Sequence, residues 1–114
     1  MKILNKTKQN IIADKAKVAD SFLTRMVGLL NRESFSEGEA LVITRCNSIH
    51  MFFMKFAIDV VFVSKENVVV GLVSDIRPFQ LSRIYFRSSY VVELPSSAIL
   101  SAGISIGDQI EISS

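Results

Sequence analysis

At 114 residues the chain has the length of one domain, and a globule of this size buries about two-thirds of the surface its unfolded chain exposes. Apolar residues make up 49% and charged residues 21%, which excludes a disordered chain too polar to offset its ordering entropy. The net charge of +2 is uneven, since residues 1–32 carry seven Lys or Arg against two Asp and residues 33–76 carry three against six acids, but the lysines are dispersed as on a solvated face rather than clustered as in a nucleic-acid or membrane-binding patch.

Lys2 to Thr7 and Ile11 to Ala16 flank Lys8, Gln9 and Asn10, the spacing of a β-hairpin with a small polar loop. From Asp20 the pattern changes: Phe22, Leu23, Met26, Leu29 and Leu30 fall on one face of a helix over about residues 20–30, with Asp20 or Ser21 as its cap. The opposite face holds Thr24, Arg25 and Gly28 rather than a run of charges, so this helix is expected to lie against a sheet. Asn31 to Glu39 reads as a loop and Ala40 to Cys46, with Val42, Ile43 and Thr44, as a strand. Ala57 to Ser64 has apolar residues on both parities, as a strand covered on both faces does, and Lys65, Glu66 and Asn67 turn it into a partner at Val68 to Ile76.

Pro78 opens an irregular stretch to Ser89, Tyr90 to Leu94 reads as another interior strand, Pro95-Ser96-Ser97 starts a helical turn that ends at Gly103, and Gln109 to Ser113 is a last strand. The fold class expected is mainly β: a single domain over residues 1–114, built as a small antiparallel sandwich or barrel of about seven strands with one α-helix packed on it and no parallel sheet. The opening lacks an apolar run of signal-peptide length, and the most apolar segment, Met51 to Val63, is interrupted by Lys55 and Asp59 short of a membrane span. Cys46 is the only cysteine, so no intramolecular disulfide forms and a zinc site of several thiolates is ruled out by counting. A cytoplasmic location, without cofactor, metal or membrane partner, fits these features.

One histidine, His50, follows Cys46 by four positions, and Cys-His pairing activates many thiol nucleophiles. In an extended chain four residues separate the two by about 13 Å, beyond the reach of a general base, so a buried cysteine beside a satisfied histidine is the reading preferred. More informative are Lys55 and Asp59 inside the apolar run, because charges in such surroundings need partners. In a regular strand both point the same way without touching, and the partners suggested by similar context are Arg25 on the helix and Glu93 within Val91-Val92-Glu93-Leu94.

Three readings of Arg25, Lys55, Asp59 and Glu93 stay open. They are a salt-bridge network that sets strand register, the polar floor of a pocket in which Lys55 and Arg25 recognise a small anionic molecule, or a carboxylate pair, Asp59 with Glu93, for acid-base hydrolysis. The loop expected beside this site carries Pro78, Phe79 and Arg83. The segment Arg77 to Tyr90 also interleaves arginines with Phe79, Tyr85, Phe86 and Tyr90, a mixture able to stack bases and hold phosphates, although aromatic lids with an arginine rim explain it equally and nucleic acid is not the expected partner.

The order of motifs adds to this: Arg25-Met-Val-Gly28-Leu29-Leu30, then Met54-Lys55 with Ile58-Asp59-Val-Val-Phe62, then Pro78-Phe79, Glu93-Leu94-Pro95 and Gly103-Ile-Ser-Ile-Gly107-Asp108. From about Val18 onward the chain resembles the prokaryotic domain of unknown function family 192. The resemblance implies a compact mainly-β domain, and Arg25, Lys55, Asp59 and Glu93 match its polar motif positions. Similar proteins carry a glycine shortly after the Glu-Leu-Pro, where this chain has Ser96 and Ser97. The function expected is a non-catalytic small-ligand-binding or accessory module, with a small hydrolase as alternative and a nucleic-acid binder, through the basic N-terminal third and the Arg77–Tyr90 loop, as second alternative.

Overall fold

The computed structural model describes residues 1–19, 34–52 and 54–114, and within them eight strands and one short helix form two stacked sheets. The helix expected over residues 20–30, and Arg25 with it, lies outside the described residues. A three-stranded sheet has the order β2-β1-β8, with β1 at Lys2–Asn5, β2 at Asn10–Ala13 and β8 at Ile110–Ser113. A five-stranded sheet has the order β3-β4-β7-β5-β6, with β3 at Lys15–Ala19, β4 at Glu39–Thr44, β5 at Ile58–Val63, β6 at Val69–Ile76 and β7 at Tyr90–Pro95. The helix α1, Ala98–Ala102, follows β7 directly and ends at Gly103, as expected for the turn after Pro95.

The run Ile11 to Ala16, expected as one strand, is two. The Asp14 and Lys15 amides both donate to the Gly38 carbonyl, at 3.1 and 2.9 Å, and this corner passes the chain from the small sheet to the large one. Gly38 sits at φ +86° with the Asp14 carboxylate 2.6 Å from where a Cβ would be, so the corner needs a residue without a side chain. Once round it, β3 runs beside β4 in parallel, Ala16 opposite Ala40 and Val18 opposite Val42. The large sheet is therefore mixed, which corrects the expectation of antiparallel pairing throughout. A parallel pair needs a crossover of about a dozen residues or more, and the chain between Ala19 and Glu39 supplies that length.

Each face of the large sheet carries its own apolar layer. Between the sheets, Ile3, Ala13 and Ile110 meet Val42, Val61, Val63, Val92 and Leu94, with Ile99 and Ile104 closing one end. On the other face Leu41, Ile43, Val60, Phe62 and Val91 pack under Ile49, Met51 and Met54 from the connection between β4 and β5. This is why every residue of β5, Ile58 to Val63, is buried and why its hydrophobicity does not alternate. No helix among the described residues is long and apolar enough to cross a membrane.

At the end of the small sheet Asp108 is buried and accepts from the Asn5 side-chain amide at 2.8 Å, the Lys8 ammonium at 2.9 Å and the Ser105 amide at 2.9 Å. Burial works to raise the Asp108 carboxyl, and these hydrogen bonds with the Lys8 charge outweigh it, so its pKa lies below the ordinary value.

Candidate functional site

Asp59 is the second residue of β5, with no exposed surface, on the face turned toward the small sheet. Both of its oxygens are taken by main-chain amides: Asp75 N–H donates to Oδ1 at 2.8 Å and Ile99 N–H to Oδ2 at 2.9 Å. The second bond does the work of a helix cap. Ser97, the residue before α1, stands at φ +77° and makes no side-chain cap bond, so the carboxylate of β5 satisfies an α1 amide in its place. The first bond holds Asp75 at φ +53° near the end of β6, and there the Asp75 carboxylate accepts the Ser96 hydroxyl at 2.6 Å. That hydroxyl chiefly, against slight desolvation and with help from Arg77, holds the Asp75 carboxyl below its usual range.

Asp59 thereby positions the segment Pro95–Ala102 from behind, and the front of that segment is one wall of a cleft of about 480 Å³. The opposite walls are Asn10–Ile12 of β2 and the turn Glu37–Glu39. The lining is mostly polar: the hydroxyls of Ser96, Ser97 and Ser101, the Glu37 and Glu39 carboxylates, and Asn10. The Asn10 amide nitrogen donates to the Ala102 carbonyl at 2.8 Å, while its Oδ1 is buried and has no hydrogen-bond partner. An orphaned acceptor of this kind costs about 1–3 kcal/mol unless something supplies a donor. No cation among the described residues lines the cleft.

The residues singled out from the sequence divide differently. Asp59 and Glu93 are both fully buried, but Glu93 pairs across the strands with Val60 and with Leu41, whereas Asp59 pairs with Leu94. Neighbouring positions on one strand point to opposite faces, so the two carboxylates project from opposite sides of the sheet and do not form the facing pair considered for acid-base hydrolysis. Lys55 is exposed in a bend ahead of β5, where the strand alternation that would have aligned it with Asp59 does not apply. Asp59 is held by amides rather than by a cation, because the bulged end of β6 and the start of α1 bring N–H groups to it. Pro78, Phe79 and Arg83 lie on the connection between β6 and β7, over the face that carries Glu93 rather than beside the cleft.

Two other candidates are occupied. The Cys46 thiol donates to the Ser48 carbonyl at 3.1 Å. In the arginine-aromatic loop, Tyr85 stacks on Phe62 with ring centroids 4.1 Å apart while the Arg83 guanidinium lies 4.3 Å from its centre, and the Tyr90 hydroxyl donates to Asn67 at 2.8 Å. Burial pushes the Tyr90 phenol up to about 12. Tyr85 is covered on both faces, by Phe62 and Arg83, while Phe79 and Phe86 of the same loop remain exposed. Among the described residues no cluster of three or more His, Cys, Asp or Glu side chains has the arrangement to hold a metal ion.

Sequence reasoning placed the helical turn after Pro95 but gave its serines no role, and it treated Asn10 as hairpin loop. The signal available was Pro-Ser-Ser at the point where an apolar strand stops, which marks a turn with hydroxyls facing outward.

Residues 3–112 match the family model DUF192, described as Uncharacterized ACR. The chain is 34% identical over 113 residues to a UPF0127 protein of Thermococcus sibiricus, covering 96% of this chain and 73% of that one. It is 33% identical over 115 residues to the UPF0127 protein PYRAB11210 of Pyrococcus abyssi, covering 96% and 95%. The crystal structure of a protein of unknown function from Novosphingobium aromaticivorans superposes with a TM-score of 0.84 at 17% identity, over 98% of this chain and 84% of that one, a likeness of fold.

Proposed function

We propose, for a chain that belongs to the DUF192 family, a non-catalytic binding role in which the cleft between β2 and Pro95–Ala102 takes a small polar molecule bearing hydroxyl or amine donors. The observation that carries this reading is the buried, partnerless Oδ1 of Asn10 in the lining of a cleft of about 480 Å³. The lining is rich in acceptors: Glu37, three serine oxygens and Asn10 can take N–H and O–H groups. A small anion, the partner suggested by Lys55 and Arg25, finds no cation here among the described residues. The volume suits a molecule the size of a sugar or a short polyamine. Support for a non-catalytic role comes from the separation of Asp59 and Glu93 on opposite sheet faces, which leaves the cleft without the acid-base pair that a hydrolase of this design needs.

The test is a titration followed by backbone amide chemical shifts, with glucosamine and spermidine as probes and inorganic phosphate as the contrasting anion. Shifts confined to Asn10, Ser96, Ser97 and Ser101 with either probe are expected. Ser101→Phe, which fills the cleft from an exposed position, should weaken that response about tenfold, corresponding to about 1.4 kcal/mol. Shifts with phosphate alone, centred on Lys55, would return the site to the anionic reading.

A further inference from the structure

The connections β4–β5 and β6–β7 lie against each other as an irregular two-stranded ribbon over the outer face of the large sheet. Ser82 N–H donates to Ile49 O at 2.9 Å, Met51 N–H to Gln80 O at 2.9 Å and Phe79 N–H to Met51 O at 2.9 Å, with His50 bridged to Leu81. Ile49 and Met51 are turned inward and buried. The alternation that buries them turns His50 and Phe52 outward, their rings 5.2 Å apart, and the antiparallel pairing sets Leu81 and Phe79 on the same outer side. Phe52 is 43% exposed, Leu81 64% and Phe79 70%, so this outer side is an apolar patch.

Phe79 is the telling residue. Arg77-Pro78-Phe79-Gln80 is a turn closed by Gln80 N–H on Arg77 O at 3.0 Å, with proline at its second position and φ +69° at its third. That third position is the natural place for glycine, and a side chain there costs about 1 kcal/mol or more. Phe79 bears this cost while 70% exposed, so the strained backbone holds an aromatic group at the tip of the ribbon, mostly in water.

The charges carried by the two connections themselves are all positive, and the nearest exposed acid in sequence, Asp75 at the end of β6, is ion-paired with Arg77 at 3.4 Å. Residues 40–58 and 76–92, which include both connections, contain Arg45, Lys55, Arg77, Arg83 and Arg87 and no Asp or Glu. All five cations are exposed. We infer that this ribbon is a docking surface for an anionic phospholipid membrane, with Phe79, Leu81 and Phe52 entering the headgroup boundary and the surrounding arginines and lysine contacting lipid phosphates. Exposed aliphatic Leu81 and Ile84, which offer a base no ring to stack on, favour an acyl boundary over nucleobases.

The experiment is co-sedimentation of the full chain with phosphatidylcholine vesicles, with and without about one-third phosphatidylglycerol, at low and raised salt. Binding to the anionic vesicles only, weakened by salt, is expected. Phe79→Gly separates docking from folding, because it relieves the backbone at φ +69° and should leave thermal stability equal or higher while lowering vesicle binding about tenfold. Arg77→Gln with Arg83→Gln should abolish the preference for anionic lipid. Equal binding to both vesicles, or none to either, would overturn the inference. So would vesicle binding by Phe79→Gly at the level of the parent chain. Retention of a single-stranded oligonucleotide without vesicle binding, or a dimer in solution that Phe79→Gly dissolves, would assign the surface to another partner and overturn it equally.

Discussion

Tyr85 lies on Phe62 with the two rings 4.1 Å apart, in space that exists because the strand position across from Phe62 is Gly71. A Cβ at Gly71 would come within 2.4 Å of the Tyr85 ring. The glycine is thus a receptacle for an aromatic from a different segment, and the ring covers the gap that glycine leaves in the sheet.

Gly71→Ala should therefore destabilise the fold by about 1–3 kcal/mol through overpacking. Paired with Tyr85→Ala the same change should cost much less, a coupling of about 1 kcal/mol or more in a double-mutant cycle of urea unfolding. Additive effects would mean that the ring does not rest on the glycine.

Asp59→Asn replaces one acceptor oxygen by an NH₂ group facing an amide donor, either at Ile99 or at Asp75. A loss of about 2–4 kcal/mol is expected, since a fully buried donor is left without an acceptor and faces another donor. In hydrogen exchange the Ile99 amide should lose protection ahead of the strands. Preserved protection at Ile99 would separate Asp59 from the capping of α1.

Ser97→Gly is expected to stabilise. The position stands at φ +77°, where an L side chain costs about 1–2 kcal/mol, partly offset by the larger backbone freedom glycine loses on folding. The net gain should be about 0.5–1 kcal/mol in chemical denaturation.

Asp108 sets a pH dependence with a definite sign. Its folded pKa is lowered from 3.8, so the stability it contributes is fully present above 3.8 and is lost as pH falls below that value through the folded one. Asp108→Asn should be less stable than the parent at neutral pH, and the difference should shrink on acidification below pH 3.8. Urea midpoints measured against pH for the two chains check this, and parallel curves would refute it.

Strand identity was legible wherever apolar residues fill both parities, as in Ile58–Val63 and Tyr90–Leu94, because burial on two faces leaves its mark on composition. The buried state of Asp59 and Glu93 was legible for the same reason. Which face each takes was not, since that depends on the pairing of β5 with β7, a relation between segments far apart in sequence. Lys55 looked enclosed because hydropathy averages over neighbours, while a bend lets one long side chain leave the apolar layer. The parallel pairing of β3 was hidden by its origin in the Asp14 corner, which reads locally as a continuous strand. The cleft was invisible because its walls come from β2, the Glu37–Glu39 turn and Pro95–Ala102, segments that no local pattern connects.

β7 is inserted between β4 and β5 although it follows both in the chain. During synthesis, then, the two earlier strands leave the ribosome with no neighbour to join them, and the large sheet cannot close until the segment from Tyr90 onward has been made. The growing polypeptide carries its oiliest strand, Ile58–Val63, unpaired on one edge through that interval. Completion of the wall waits on Tyr90–Pro95, and a ribosome stalled before that segment would hold a chain prone to sticking to its neighbours.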